Sequence, residues 1–290
     1  MYEKLEQCPV CKSKQFDNYM ICNDHSISGE SFALVRCTNC ELVFTNPRPE
    51  ENNLFKYYKS DQYISHTDQG NSVINLIYKL VRRYTLTKKV TLINKINSGN
   101  GILLDYGCGT GDFVKAAAKK GWQAFGYEPD IDAKKIAIQK NPSQILELLK
   151  DCPDNVDVIT TWHVVEHIPD LKTTIQVLSK KLKKGGHLII AVPNHQSYDA
   201  KQYQENWAAF DVPRHLYHFD RSSISYLIKQ LKLKLIDTIP MKFDSYYVSM
   251  LSEKYSKKGS LIKALRIGYK SNQIAKKTRE YSSLIYVVKK

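Results

Sequence analysis

At 290 residues, with 42% hydrophobic and 25% charged content, the chain has room for one large domain with appendages and enough apolar residues for a substantial core. Its net charge of +14 is uneven: residues 71–100 hold six Lys/Arg and no acid, residues 200–290 hold 18 against 7, and residues 1–70 hold seven against ten. No apolar run approaches the roughly 18 residues of a membrane span, and the charged start MYEKLEQ is not that of a secretory signal, so a cytoplasmic protein is expected.

The first element is a pair of knuckles, Cys8-Pro9-Val10-Cys11 and Cys37-Thr38-Asn39-Cys40. Four thiolates in two tight turns suit tetrahedral Zn²⁺, and an ion with all four positions taken is structural. The residues between them alternate as short strands do, so a zinc ribbon is expected over residues 1–46, with Cys22 a packed thiol and His25 exposed. Pro47 and Pro49 mark a linker leaving the ribbon, and residues 47–99 read as linker and lid helices. Tyr57, Tyr58, Tyr63 and His66 in this stretch either pack beneath the main domain or belong to a flap over the site. From 71 to 97, Val73, Ile74, Ile77, Leu80 and Tyr84, then Leu86, Val90, Ile93 and Ile96, recur at helical spacing. Most of that stripe should pack on the main sheet; contact of Arg82, Arg83, Lys88 and Lys89 with an anionic membrane surface is the alternative use.

In GILLDYGCGTGDF a short apolar run ends at Asp105, and Gly107, Gly109 and Gly111 follow at alternate positions. DFVKAAAKKG then reads as a helix, with Asp112 at its start and Gly121 just past its end. The order is buried strand, glycine loop, helix, in which a ligand can approach the backbone closely. A dinucleotide fingerprint needs G-x-G-x-x-G, but Asp112 stands in the place of the third glycine. The next strand, WQAFGYEP, ends in Glu128, where a carboxylate can accept hydrogen bonds from both hydroxyls of a ribose. Asp105 suits a cofactor carrying an ammonium and a sulfonium.

A helix around IDAKKIAIQKN and a short strand near Gln144–Glu147 lead to the fourth strand, VDVITTW. Trp162 and His163 stand at its carboxyl end, where a doubly wound sheet keeps its chemistry. LKTTIQVLSKKLKKGG reads as a helix stopped by its glycines, before a fifth strand, HLIIAVPN. In QENWAAFDVPRHLYHFDRSSISYLIKQL, apolar and aromatic residues alternate with Arg214, His215 and His218, ahead of a helix near Ser222. Arg214 can grip a phosphate or carboxylate bidentately or pair internally with Asp211 or Asp220. IDTIPMKFDSYY reads as strand six. Residues 245–280 read as a basic helical insertion with Leu251, Leu261, Ile262, Leu265 and Ile274 as its apolar side, and SSLIYVVKK as an antiparallel strand at or near the sheet edge.

The DYGCGTG loop with its acidic strand end, followed by EHIPD and GGHLIIAVPN, resembles the class I S-adenosylmethionine (SAM) methyltransferases over about residues 100–290. The resemblance implies a Rossmann-like seven-stranded α/β sheet with helices on both faces, preceded by the zinc ribbon. It implies a SAM site of Asp105, Tyr106, Gly107, Cys108, Gly109, Gly111, Glu128, Pro129, Trp162 and His163. Relatives hold the adenine amino group with an acid after the third strand, for which Glu147 and Asp151 are both candidates. Glu166 and His167 form the E-H pair that many members carry. The pair either pins the helix start, or supplies His167 or His163 as general base, or joins His163 and His215 as metal ligands. Similar E-x-x-E-H enzymes bind a divalent ion; His163 stands where their first Glu does, which would favour a softer metal. The DxPRHxxxF stretch is similar to one bordering the acceptor pocket in sugar-, surface-polysaccharide- and quinone-pathway methyltransferases. The acceptor pocket is accordingly expected to be lined by Tyr63, His163, His167, Arg214 and His215. The expected reaction is O-methylation of a small-molecule, sugar or lipid-linked glycan acceptor, phosphate-bearing if Arg214 reads it. An RNA methyltransferase is the alternative, disfavoured by the net acidic ribbon region. Sugar C-methylation is another, in relatives that carry a further C-terminal domain.

Overall fold

The computed structural model describes residues 1–58, 73–255 and 259–290, with side chains in the second span described from residue 84 onward. After β1 (Tyr2–Glu3) comes the antiparallel hairpin of β2 (Phe16–Asn23) and β3 (Ser31–Cys37), to which β4 (Val43–Thr45) is added, while β5 (Arg48–Pro49) returns to pair with β1. The helices α1 (Glu51–Leu54) and α2 (Val73–Asn97) precede an alternating run: β6 (Ile102–Tyr106), α3 (Asp112–Ala118), β7 (Gln123–Tyr127), α4 (Ile131–Lys140), β8 (Ile145–Leu146), β9 (Val156–Trp162), α5 (Leu171–Lys181) and β10 (Leu182–Pro193). Then follow α6 (Tyr198–Tyr203), β11 (Tyr217–His218), α7 (Arg221–Gln230), β12 (Lys234–Pro240), α8 (Asp244–Tyr255), α9 (Leu261–Thr278) and β13 (Ser283–Lys289).

Seven strands form the main sheet in the order β12-β13-β10-β9-β6-β7-β8, the Rossmann-like α/β arrangement expected. The central strand β6 pairs in parallel with β7 on one side and β9 on the other, so that Leu104 lies level with Phe125 and with Ile159. Leu103, Leu104, Val158 and Ile159 are fully buried, which is why both strands read as unbroken apolar runs. The chain winds outward from β6 in one direction and from β9 in the other. Ligand crevices in such sheets open at the carboxyl ends of the strands at that reversal.

The chain divides into two compact units. One comprises Met1–Tyr63, Val165–Thr174 and Ala191–Tyr286; the other comprises Ile64–Val164, Ile175–Ile190 and Val287–Lys290. In the first unit β11 completes the ribbon's own sheet, in the order β11-β4-β3-β2, with Tyr217 opposite Phe44 and His218 opposite Val43. Cys22, Phe32, Leu34 and Val43 bury their side chains in one cluster with Trp207, Phe210 and Val212. A segment as short as the ribbon buries too little surface to make a core alone.

Local readings differ from the structure at three places. Strand six stops at Pro240, and DSYY begins α8, whose Ser245, Val248, Ser249 and Ser252 are buried; packing overrides the β preference of its tyrosines. The lysine-rich KKGG does not stop a helix. Instead β10 starts at Leu182, which is buried, and Gly186 passes so close to the backbone oxygens of Val156 and Asp157 that a Cβ would lie 3.1 Å from each. The insertion is helical as expected, but its buried side is not the leucine–isoleucine stripe: α9 buries Ala264, Gly268, Ser271 and Ala275. A Cβ on Gly268 would stand 2.9 Å from Tyr246 Cα, so the two helices approach through small residues.

Candidate active site and metal centre

In the second unit, the loop after β6 is tied to the end of β7 by two backbone bonds, from Gly107 N–H and Cys108 N–H to Tyr127 O at 2.8 and 3.0 Å. Gly107 and Gly111 have positive φ and no room: a Cβ would lie 2.6 Å from Val164 or 2.5 Å from Asn141 Nδ2. Gly109 also has positive φ, +53°, but nothing lies within 4 Å of where its Cβ would stand. That open backbone is where a ligand can lie. Beside it the Glu128 carboxylate accepts Gly109 N–H at 2.7 Å and Asp130 N–H at 2.9 Å, and burial raises its pKa.

Asp105, 2% exposed at the end of β6, accepts the Thr160 hydroxyl at 2.7 Å from the neighbouring β9. Burial pushes its carboxyl up to about 7, against the opposing pull of the Lys89 charge. Trp162 stands edge-on to Phe113 at 5.5 Å, with the Lys89 ammonium 4.2 Å above its ring. Its buried indole N–H has no hydrogen-bond partner among the described residues. His163 follows at φ +56°, a left-handed conformation uncommon for a side-chain-bearing residue. Tyr106 stacks on Tyr127 at 5.4 Å, Cys108 is a buried thiol raised by desolvation, and Pro129 is exposed just after Glu128. Two carboxylates on adjacent strand ends, an open glycine backbone and an unsatisfied indole N–H make a set of polar groups that fits SAM; Glu128 would hold its ribose and Asp105 its amino-acid end. Of the adenine candidates, Glu147 pairs with Lys134 and Asp151 accepts Leu148 N–H at 3.0 Å. Thr160 was not singled out from the sequence, and Lys89 was named there only as part of a basic surface, although Thr160 falls level with Asp105 once β6 and β9 are aligned.

In the first unit, Val165-Glu166-His167 form one 3₁₀ turn. His167 Nδ1 lies 3.0 Å from the Arg214 carbonyl and 3.0 Å from Tyr58 Oη. A carbonyl only accepts, so Nδ1 carries the proton and Nε2 the lone pair. His215 Nδ1 likewise donates to a carbonyl, Ala209 O, at 2.8 Å. The two rings meet edge to face at 4.5 Å. Burial and the neighbouring His215 lower His167 to about 4, leaving it neutral at physiological pH. Ligand atoms of Glu166, His167 and His215 all lie within 4.8 Å of one another. His163 is not part of that group.

Arg214 does not act as expected of a substrate-gripping arm. It is 2% exposed, and its guanidinium donates to Asp211 at 2.7–3.1 Å, to Asp24 at 3.0 Å and to Tyr57 O at 3.0 Å. A desolvated cation is held only by such partners, so the internal ion pair is the correct reading, with Asp24 as its unforeseen member. Asp24 also accepts the N–H groups of Ser26, Ile27 and Ser28, closing the β2–β3 turn. Asp220 instead caps α7 through Ser223 N–H at 2.8 Å. Tyr57 packs on Phe32 and donates to Glu30 at 2.6 Å, the packing use of that cluster. Tyr58 lies against His167, its hydroxyl 3.0 Å from Nδ1; Tyr63 and His66 lie outside the described residues. Cys22 is a buried thiol pushed up to about 12, and His25 is exposed and stacked on Tyr255 at 4.4 Å.

The four-cysteine centre is also in the first unit. Cys8 and Cys40 Sγ are 3.5 Å apart, as are Cys11 and Cys37 Sγ, and all four lie within 4.8 Å of one another. Tetrahedral Zn²⁺ with bonds of about 2.3 Å sets sulfurs about 3.8 Å apart. The knuckles repeat one geometry: Lys12 N–H returns to Cys8 O at 3.0 Å and Glu41 N–H to Cys37 O at 2.9 Å, and both residues have positive φ. The sites fit a structural zinc.

The sheet, its glycine loop and the acidic strand ends define a class I, Rossmann-like methyltransferase. A sequence profile described as "Methyltransferase domain" matches residues 78–238, more than half of the chain, and the chain belongs to that family. It is a SAM-dependent enzyme, SAM being the family's cofactor. Ubiquinone biosynthesis O-methyltransferases of Yersinia pestis and Yersinia pseudotuberculosis are 28% identical over 107 residues, 33% of this chain and 43% of theirs. The match thus spans less than half the length of those relatives. Among solved structures, magnesium protoporphyrin IX methyltransferase from Synechocystis, with bound SAH, is 13% identical with a TM-score of 0.55, over 83% of this chain and 100% of that one. A possible histamine N-methyltransferase from Thermotoga maritima is 16% identical with a TM-score of 0.50, over 75% and 95%. These likenesses establish the fold. No helix among the described residues is long and apolar enough to cross a membrane.

Proposed function

We propose that this methyltransferase acts in the cytoplasm on a hydroxyl of a small-molecule, sugar or lipid-linked glycan acceptor. The observation that carries the reading is the neutral imidazole of His167, which gives its Nδ1 proton to the Arg214 carbonyl and keeps a lone pair on Nε2. SAM supplies an activated methyl group when bound. An acceptor hydroxyl has to shed its proton as its oxygen forms the new bond, and a neutral imidazole takes it. The rest of catalysis is positioning. The similarity to proteins named ubiquinone biosynthesis O-methyltransferases supports oxygen as the acceptor atom. Reduced thiols are needed to keep a four-cysteine zinc centre, which supports the cytoplasm. With Arg214 committed internally, nothing at that residue favours a phosphate-bearing acceptor.

One experiment tests the acceptor class: labelled methyl transfer from SAM into a lysate fractionated into lipid, glycan and RNA. Label in an organic-extractable or glycan fraction, insensitive to ribonuclease, is expected. Label lost to ribonuclease would overturn it in favour of RNA. His167→Ala should lower turnover about 100-fold without weakening SAM binding.

The compactness of Glu166, His167 and His215 favours a second reading of the same cluster. One carboxylate and two imidazoles whose other nitrogens are fixed by carbonyls also suit a divalent cation. Turnover that vanishes on EDTA dialysis, with zinc retained at the cysteines, and returns with added divalent cation would select this reading. Unchanged turnover would select the base.

A further inference from the structure

α9 carries an exposed apolar stripe on a helix whose inner seam is already filled. Ala264, Gly268, Ser271 and Ala275, at i, i+4, i+7 and i+11, are buried. They meet α8 through Ser245 Oγ, which donates to Gly268 O at 3.0 Å, and α6 through Ser271 Oγ, which donates to Asp199 at 2.6 Å. The next face round holds Leu261 (62% exposed), Ile262 (64%), Leu265 (46%) and Tyr269 (58%). At i, i+1, i+4 and i+8 these four form one continuous stripe about a quarter-turn wide.

The third face is basic, with Lys263, Arg266, Lys270 and Lys277 on it, while Lys276 and Arg279 continue the line of the stripe beyond Tyr269; residues 261–279 contain no acidic residue. All six are exposed. Lys263 pairs with Glu253 of α8 at 2.9 Å, and Lys270 lies 5.0 Å from the Tyr198 ring. Glu253 is itself only 3% exposed, so it presents no negative surface beside the stripe. A helix lying flat in a bilayer interface has this division: an apolar stripe, an aromatic at its margin, and cations on the flank. A contiguous exposed apolar patch rimmed by charge is the mark of an interaction surface.

We propose that α9 docks on an anionic phospholipid surface. Leu261, Ile262, Leu265 and Tyr269 enter the boundary between headgroups and acyl chains, and Arg266, Lys270 and Lys277 meet lipid phosphates. Every charge on the helix is positive, and this complementarity selects an anionic bilayer over a neutral one or over a second copy of the same basic face. The inference does not depend on which acceptor is methylated.

The test is co-sedimentation of the full chain with phosphatidylcholine vesicles, with and without phosphatidylglycerol. Binding is expected only to the anionic vesicles and should fall about tenfold when NaCl is raised from about 50 to about 300 mM. The double variant Leu261→Ser, Leu265→Ser and the charge variant Arg266→Glu, Lys270→Glu should each lose about tenfold in partitioning, with SAM affinity and zinc content unchanged. Failure to bind anionic vesicles, equal binding to neutral ones, or variants that bind like the wild type would each overturn the proposal. So would a concentration-dependent dimer that both variants abolish, because a second copy would then cover the stripe.

Discussion

Asp105 shows how much a single residue's surroundings decide. Its ordinary pKa is 3.8, and burial lifts it to about 7. Without cofactor, the native state therefore holds a proton between those values that the unfolded chain has lost. The group's contribution to stability is fully present below about pH 4 and is lost as pH rises through about 7. Binding of a cation beside it works in the opposite sense, since the ionised carboxylate is the form that attracts an ammonium. Calorimetric titration with SAM should show affinity weakening as pH falls below about 7, with proton release on binding, and Asp105→Asn should remove both the dependence and about tenfold or more of the affinity. The glycines of the same loop separate by neighbour. Gly109→Ala has room and should weaken SAM binding with a melting change equivalent to about 1 kcal/mol, whereas Gly111→Ala runs into Asn141 and Ala137 and should chiefly lower stability. Asp105, the glycines and Glu128 were readable from the sequence because a strand end and the loop beside it fix their place. Lys89 and Thr160 were not: each acquires its meaning only when a separate element is laid against β6.

Among elements, the connection between the β2–β3 turn and the segment before β11 illustrates what local pattern misses. Arg214 and Asp24 are separated by 190 positions, and no periodicity links them. An Asx turn at Asp24 was legible in principle from the serines that follow it, but not its charge partner. Arg214→Met removes the cation and leaves Asp24 and Asp211 buried without it. Denaturant unfolding should show a loss of about 3–5 kcal/mol. Both carboxyls are held below their ordinary value, Asp211 through His215 and Arg214 and Asp24 through Arg214, against burial. Their stabilising effect is therefore present above about pH 4 and disappears as pH falls through the native values, and in Arg214→Met the acid transition should move to higher pH. α9 is the opposite lesson. Its apolar spacing was plain, yet the face it buries was misread, because close helix approach at Gly268 selects small side chains over large ones.

At the scale of the molecule, the alternation of β6 through β10 was legible because buried parallel strands and glycine-ended loops both leave sequence marks. The division into units was not. A ribbon closed by two knuckles looks self-contained in sequence, and only the folded chain shows its sheet extended by Tyr217–His218 and its apolar side shared with Trp207 and Phe210. Zinc removal should therefore be felt well beyond the cysteines. Chelation, or Cys37→Ser, should abolish the near-ultraviolet circular dichroism of the first unit's aromatic cluster along with bound zinc, and it should lower the midpoint of thermal unfolding.

The strand at 217–218 has a consequence for heredity. A gene fragment that began after the ribbon would encode β11 with no β4 to pair with and Trp207 with half its surroundings gone. A ribbon exchanged for this one would have to bring an edge that accepts Tyr217 and a turn acid that meets Arg214. A substitution on either side of that seam, at Phe44 or Tyr217, at Asp24 or Arg214, is felt on the other.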